Sequence, residues 1–264
     1  MQIEVNGNTT NYEVSGVQDG PVVMLSHSLA CSGAMWRPQL PALEARYRVV
    51  NYDTRGHGAS GAPDGPYSLD MLGDDALALM TALDIDAAHW VGLSMGGMIG
   101  QNIALRQPER LRSLTLCDTS SQIPAEAHQI WHERIDIARQ SGMAALLDPT
   151  LQRWFTAPFL AAADDQVAPI RAAILATPVA GYTGCSEAIR NLDYTGRLGE
   201  IDKPTLIIVG EDDQGTPVAA SEAINAGIAG SKLVVLPQAA HLSNIEQADA
   251  FTAALVEFLG GLDG

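Results

Sequence analysis

Cysteine is scarce in this chain, cationic residues are few, and no apolar run is long. The three cysteines are Cys31, Cys117 and Cys185. Their odd number, wide separation and lack of C-x-x-C spacing argue against a disulfide framework and a zinc site. Lysine and arginine total 15 against 31 aspartates and glutamates, a formal net charge of −16. A surface this acidic repels nucleic acid and anionic membrane, so neither is expected as a partner. Apolar runs break well before the ~18 residues a membrane span needs. The opening MQIEVNGNTT has neither the basic nor the apolar region of a secretory leader. A soluble, cytoplasmic protein is the expectation. The P-loop, G-x-G-x-x-G and H-E-x-x-H patterns are absent, so no cofactor, nucleotide or metal is expected. Charged residues are also sparse at 17 %, while apolar residues reach 47 % of 264. That balance suits one well-packed domain, with room for a modest insertion. Disorder is expected only in the tail Gly260–Gly264.

What is present is an alternation of strands and helices. Residues 1–15 alternate apolar and polar positions around Asn6-Gly7, the signature of a short antiparallel hairpin. Dense apolar runs follow at Pro21–His27, Tyr47–Asp53, His89–Ser94, Leu111–Asp118, Thr205–Gly210 and Lys232–Leu236. Runs of this kind fit strands buried on both faces. Helical spacing fills the gaps at Met71–Leu83, Gly97–Arg106, Pro217–Ile228 and Glu246–Leu259. Alternation of this kind predicts an α/β fold with a mostly parallel sheet covered on both faces. Between about Thr119 and Asp202 the alternation stops. Helical patterns at Ala125–Arg139, Met143–Trp154, Ala157–Ala176 and Cys185–Leu192 follow one another without a strand. They predict a helical cap, residues 120–202, inserted into a core of residues 1–119 and 203–264. It should lie over the carboxyl ends of the strands, where such sheets bind ligands.

Gly92-Leu93-Ser94-Met95-Gly96 is a G-x-S-x-G sequence between a predicted strand and a predicted helix. A sharp turn there exposes the serine hydroxyl, and the glycines admit close neighbours. Ser94 is therefore the expected nucleophile. Six histidines compete for the role of its base. His89 begins a strand, His128 and His132 fall in the cap, His27 ends a strand and His57 sits in a Gly-rich loop. Only His241 follows the last core strand, giving the chain order serine, acid, histidine. The acid that orients His241 should follow a strand between the other two. Asp213 is the first choice, with Asp212 second and Asp118, one strand earlier, third. Two backbone N–H groups are needed for a developing oxyanion, and those of Met95 and Leu29 are assigned to it. His27 is expected to brace that loop. Arg55 reads as a structural turn residue in an ion pair, with substrate contact as the alternative.

Several stretches carry a closer resemblance. They are Ser28-Leu29, Ala34-Met35-Trp36, Tyr52-Asp53-Thr54-Arg55-Gly56-His57-Gly58-Ala59-Ser60 and Gly92 to Met98. Further along come Leu116-Cys117-Asp118-Thr119, Gly142-Met143-Ala144-Ala145, Arg153-Trp154-Phe155-Thr156, Ala176-Thr177-Pro178 and Gly181-Tyr182 with Cys185. Ala240-His241-Leu242-Ser243-Asn244-Ile245-Glu246-Gln247 completes the set. On these the chain resembles the 3-oxoadipate enol-lactonases of the α/β-hydrolase superfamily along nearly its full length. The resemblance implies an eight-stranded α/β-hydrolase sheet with a helical cap. It also implies hydrolysis of 3-oxoadipate enol-lactone through a Ser94 acyl-enzyme, in aromatic catabolism. The chain departs from the family pattern at Gly184-Cys185, where paired cysteines are common, and at Cys31. Both departures are expected to retune the pocket. The implied lactone carries a carboxylate, which in so acidic a protein needs a cationic partner. Arg134 is the choice, three residues from Trp131 on one helical face. Trp131, Trp154 and Tyr182 are expected to wall the pocket. A broad esterase or lactonase, a ligand receptor on the same fold, and a carbon–carbon bond hydrolase are the alternatives.

Overall fold

The computed structural model describes residues 1–263. Its eight strands are β1 (Gln2–Val5), β2 (Asn8–Gly16), β3 (Val22–Ser26), β4 (Arg48–Tyr52), β5 (Ala88–Leu93), β6 (Leu111–Cys117), β7 (Thr205–Gly210) and β8 (Lys232–Leu236). They form one sheet in the order β1-β2-β4-β3-β5-β6-β7-β8. β1 and β2 pair antiparallel, as do β2 and β4, and every later pairing is parallel. Asn6 and Gly7 both take positive φ at the β1–β2 turn, as a two-residue hairpin of matching twist requires. The order reverses about β3, so the loops after β3 and β5 part company and open a crevice at the strand ends.

Core helices cover both faces. α1 (Leu40–Glu44) packs against the last helix, α11 (Ala248–Gly260), and α2 (Leu69–Ala82) packs against α3 (Met95–Arg106). α9 (Val218–Gly227) contacts β7 and β8, and the single turn α10 (Ser243–Glu246) precedes α11. Between β6 and β7 the described residues contain helices and no strand. They are α4 (His128–Ser141), α5 (Leu147–Trp154), α6 (Ala157–Ala162), α7 (Asp164–Ala176) and α8 (Val179–Arg190).

The expected elements differ from these in instructive ways. Four strands end one residue short of the polar residue that closes each apolar run: His27, Asp53, Ser94 and Asp118 start the loops. Ser94 and Asp118 leave the sheet with φ of 54° and 42°, which no strand accommodates. The Lys232–Leu236 run is an edge strand, not one buried on both faces, and Val235 is 41 % exposed. The run 157–176 is two helices broken at Ala163, and the run 246–259 is interrupted at Gln247, with Glu246 ending a preceding single turn and the long helix starting at Ala248. α8 begins at Val179, earlier than the pattern suggested. Gly181 and Gly184 lower its helical propensity, but the contacts require them: a Cβ at Gly181 would lie 2.0 Å from the Gly56 carbonyl oxygen. Pro217 caps α9 from outside instead of opening it. The tail is tied down as far as Asp263, whose carboxylate lies 3.2 Å from His89 Nε2. Gly264 lies outside the described residues.

Candidate active site

The site is built at the carboxyl ends of β5, β7 and β8. Ser94 occupies the turn between β5 and α3 at φ 54° and ψ −113°, a conformation that costs a non-glycine residue of the order of 1–3 kcal/mol. Three bonds hold it there. Ser94 N–H donates to the Cys117 carbonyl (2.8 Å), the Thr119 hydroxyl donates to the Ser94 carbonyl (2.7 Å), and Trp90 Nε1 donates to the Gly96 carbonyl (3.0 Å). The flanking glycines are required sterically. A Cβ at Gly92 would lie 2.2 Å from the Gly96 carbonyl oxygen, and one at Gly96 would lie 2.1 Å from that of Ser26.

His241 sits in the loop after β8 and is buried. Its Nδ1 donates to Asp213 Oδ2 at 2.8 Å, which leaves Nε2 of the neutral ring with a free lone pair. Asp213 also accepts from the Thr216 hydroxyl (2.7 Å) on the same oxygen. Its Oδ1 accepts from the N–H groups of Gly215 (2.7 Å) and Thr216 (3.0 Å). Burial alone would raise this carboxyl, but the His241 charge and the His241 and Thr216 hydrogen bonds outweigh it and hold it below the ordinary range. Asp212 is exposed on the same loop. Asp118 is fully buried, with Oδ1 accepting from Gly210 N–H (2.8 Å) and Oδ2 from the Ser243 hydroxyl (2.5 Å). Burial and the nearby Asp213 charge push its carboxyl well up. Of the three acids considered, Asp213 is thus the one joined to His241. Among the described residues no hydrogen bond joins Ser94 Oγ to His241, a contact that in resting hydrolases commonly tightens only when substrate engages.

The loop after β3 is fixed by two neutral histidines. His27 Nε2 accepts from Thr54 N–H (2.9 Å), and its Nδ1 donates to the Ser28 carbonyl (2.7 Å). His57 Nε2 accepts from Ala30 N–H (2.9 Å), and its Nδ1 donates to the Arg55 carbonyl (3.1 Å). Burial, reinforced by His27, lowers His57 to about 3, so it stays an acceptor at neutral pH. The loop so braced carries Leu29. Neither Leu29 N–H nor Met95 N–H, in the first turn of α3, donates to a backbone carbonyl of the described residues. Arg55 makes a buried ion pair with Asp75 (2.6 Å) and takes no part in the site. His89 is bonded to Ser113 and Asp263.

A cavity of about 550 Å³ joins these groups to the helices between β6 and β7. Leu29, Ser94 and His241 line it, as do Trp131, Arg134, Trp154 and Tyr182. The Trp154 ring lies 6.0 Å from that of His241 at 30°. The Arg134 guanidinium lies 5.1 Å over the Trp131 ring, within cation–π range. Arg153, to which the sequence pattern assigns no role, lines the same cavity. Burial lowers both guanidinium groups, Arg153 to about 10 with the Arg134 charge beside it, and no carboxylate of the described residues offsets this. Two partly buried cations without an anion have the chemistry to hold one. Arg153 directly precedes Trp154 on α5, a neighbourhood that the sequence could have flagged. Thr216, three residues after Asp213, was missed too. Cys31 and Cys185, expected to retune the pocket, do not line it. Cys185 donates to the Arg55 carbonyl, and a Cβ at Gly184 would lie 2.7 Å from the Tyr67 ring.

Sheet, strained serine turn and the cavity beside it together define a hydrolase. The α/β-hydrolase fold model matches residues 21–248, and the chain belongs to that family. Within it the chain is 37 % identical over 245 residues to 3-oxoadipate enol-lactonase 2 of Acinetobacter baylyi, covering 93 % of this chain and 91 % of that one. It is also 31 % identical over 268 residues to RutD of Agrobacterium fabrum, provisionally named a carbamate hydrolase, covering 98 % of each. The crystal structure of the enol-lactonase from Burkholderia xenovorans aligns with a TM-score of 0.95 at 40 % identity, covering 98 % of this chain and 100 % of that one. No helix of the described residues is long and apolar enough to cross a membrane.

Proposed function

We propose that this protein hydrolyses a carboxylate-bearing lactone, 3-oxoadipate enol-lactone, to 3-oxoadipate, as in the degradation of aromatic compounds. One observation carries the reading: Arg134 and Arg153 open, without an anionic partner, into the same cavity as Ser94 and His241. In a chain of net charge −16 such a pair is a local exception, and it suits the carboxylate of this substrate. The names of the enol-lactonase relatives agree with it.

In this mechanism Ser94 Oγ attacks the lactone carbonyl while His241 Nε2 takes its proton. Asp213 fixes the His241 tautomer and stabilises the imidazolium. The N–H groups of Leu29 and Met95 receive the oxyanion. Collapse breaks the ring C–O bond, and His241 returns the proton to the enol oxygen. That leaving group stays tethered to the acyl-enzyme. A water deprotonated by His241 then frees Ser94, and the enol tautomerises to the ketone. Residues 1–119 and 203–264 act as the catalytic core, and residues 120–202 as the cap, in which Arg134 and Arg153 hold the carboxylate and Trp131, Trp154 and Tyr182 wall the ring. No step calls for a cofactor.

A second reading, a broad-specificity esterase or lactonase, is favoured by the size of the cavity. It continues past the site to Pro217, Ala220 and Ala223, more room than a small monocyclic lactone fills. Steady-state kinetics on the purified protein with the enol-lactone beside p-nitrophenyl acetate separate the two. Dominance of the lactone in kcat/KM supports the first reading, and dominance of the neutral ester supports the second.

A further inference from the structure

Glu246 holds three hydrogen-bond donors from two segments that meet over the site. Its Oε1 accepts from both the N–H (2.9 Å) and the hydroxyl (2.8 Å) of Thr156, and its Oε2 accepts from Ala240 N–H (2.6 Å). Ala240 immediately precedes His241. Thr156 closes the stretch Arg153-Trp154-Phe155-Thr156, which brings one guanidinium and one ring wall to the cavity. A fourth bond runs between the same segments, from Leu242 N–H to the Trp154 carbonyl at 3.1 Å. The two stretches are therefore tied directly by one backbone bond and bridged by the Glu246 carboxylate next to His241. Glu246 is half-buried and no cation of the described residues faces it; Asp212 is the charged neighbour. Its three donors are what make a carboxylate tenable there.

We propose that Glu246 is a positioning residue for specificity, which sets the distance between the carboxylate-binding Arg153 and the reacting pair Ser94 and His241. The inference rests on the carboxylate-binding role proposed above. An isosteric glutamine cannot serve all three donors. With its oxygen on Thr156, its amide N–H groups meet Ala240 N–H, and the tie to the His241 loop is lost. A substrate anchored at Arg153 and attacked at Ser94 feels that slack at both ends, whereas a small neutral ester feels it only at Ser94.

The test compares Glu246→Gln, Arg153→Ala and the double variant on the enol-lactone and on p-nitrophenyl acetate, with thermal melts of each. In Glu246→Gln, kcat/KM for the lactone is expected to fall about 10–100-fold further than for the ester, since misplacement by about 1 Å costs on that scale. Arg153→Ala is expected to cost much less in the Glu246→Gln background than alone, because the anchor is already out of register. Thr156→Val, which removes one donor only, is the milder variant should Glu246→Gln fold poorly, and it is expected to shift the same ratio in the same direction. Equal losses on the two substrates, or strictly additive costs in the double variant, overturn the inference while the carboxylate site stands. If Arg153→Ala alone fails to separate lactone from ester, the carboxylate site falls and this inference with it.

Discussion

Replacing Asp213 by asparagine isolates one feature of the site, the tautomer of His241. The wild-type carboxylate accepts four hydrogen bonds, two on each oxygen. The two on Oδ1 come from backbone N–H groups of Gly215 and Thr216. An asparagine must keep its carbonyl oxygen there, because an amide N–H would face two donors. Its NH2 group is then left opposite His241 Nδ1 and the Thr216 hydroxyl. His241 can meet an N–H donor only by accepting at Nδ1, which moves the ring proton to Nε2. That nitrogen then has no lone pair for the Ser94 proton. The geometry survives and the base is lost. The comparable exchange in a serine protease lowers kcat by about 10⁴. At about 1.36 kcal/mol per decade that is about 5.4 kcal/mol of transition-state stabilisation. The assay is kcat with p-nitrophenyl acetate near neutral pH, beside Asp212→Asn, which is expected to change little. A fall of less than about 10-fold in Asp213→Asn, or a larger fall in Asp212→Asn, would refute the tautomer argument.

Three further expectations follow from other parts of the structure. Arg134→Ala and Arg153→Ala should each raise KM for the enol-lactone by about 10–100-fold, the range of one charged hydrogen bond, and leave KM for the neutral ester nearly unchanged in parallel assays. Asp118→Asn should stabilise the fold progressively with pH. The folded-state pKa of Asp118 is raised, so its contribution is complete below the unfolded value of about 3.9 and is lost as pH rises toward the folded one. An asparagine escapes that loss, so the melting temperature relative to wild type should climb across this window; a constant difference would contradict it. Gly96→Ala should cost about 3 kcal/mol or more in chemical denaturation, since its Cβ would enter the Ser26 carbonyl oxygen at 2.1 Å.

The sheet was legible because each strand is an apolar run bounded by turn residues, and the serine turn because only Gly-x-Ser-x-Gly fits so tight a bend. His241 could be chosen by chain order alone. Choosing among Asp118, Asp212 and Asp213 could not be done that way, since adjacent acids differ only in which way the backbone turns them. The bond from His241 Nδ1 to Asp213 decides it, while Asp118 is taken up by Gly210 and Ser243, and these are tertiary facts. The helices between β6 and β7 were legible as helices but not in their bounds. Gly181 and Gly184 are poor helix formers kept for contacts with Gly56 and Tyr67, which no local pattern reveals. Arg134 could be picked from helical spacing beside Trp131. Arg153 was missed because it reaches the cavity from a different helix, and pairing across helices leaves no periodic mark.

The most direct test of Ser94 as the nucleophile is rapid acid quench of the protein with the enol-lactone, followed by intact-mass and peptide analysis. Because the enol leaving group stays attached, the acyl-enzyme carries the mass of the whole lactone. The predicted result is that increment on the peptide containing Ser94, formed within the first turnover and absent from Ser94→Ala. Steady turnover by Ser94→Ala, or an increment on another residue, would contradict it.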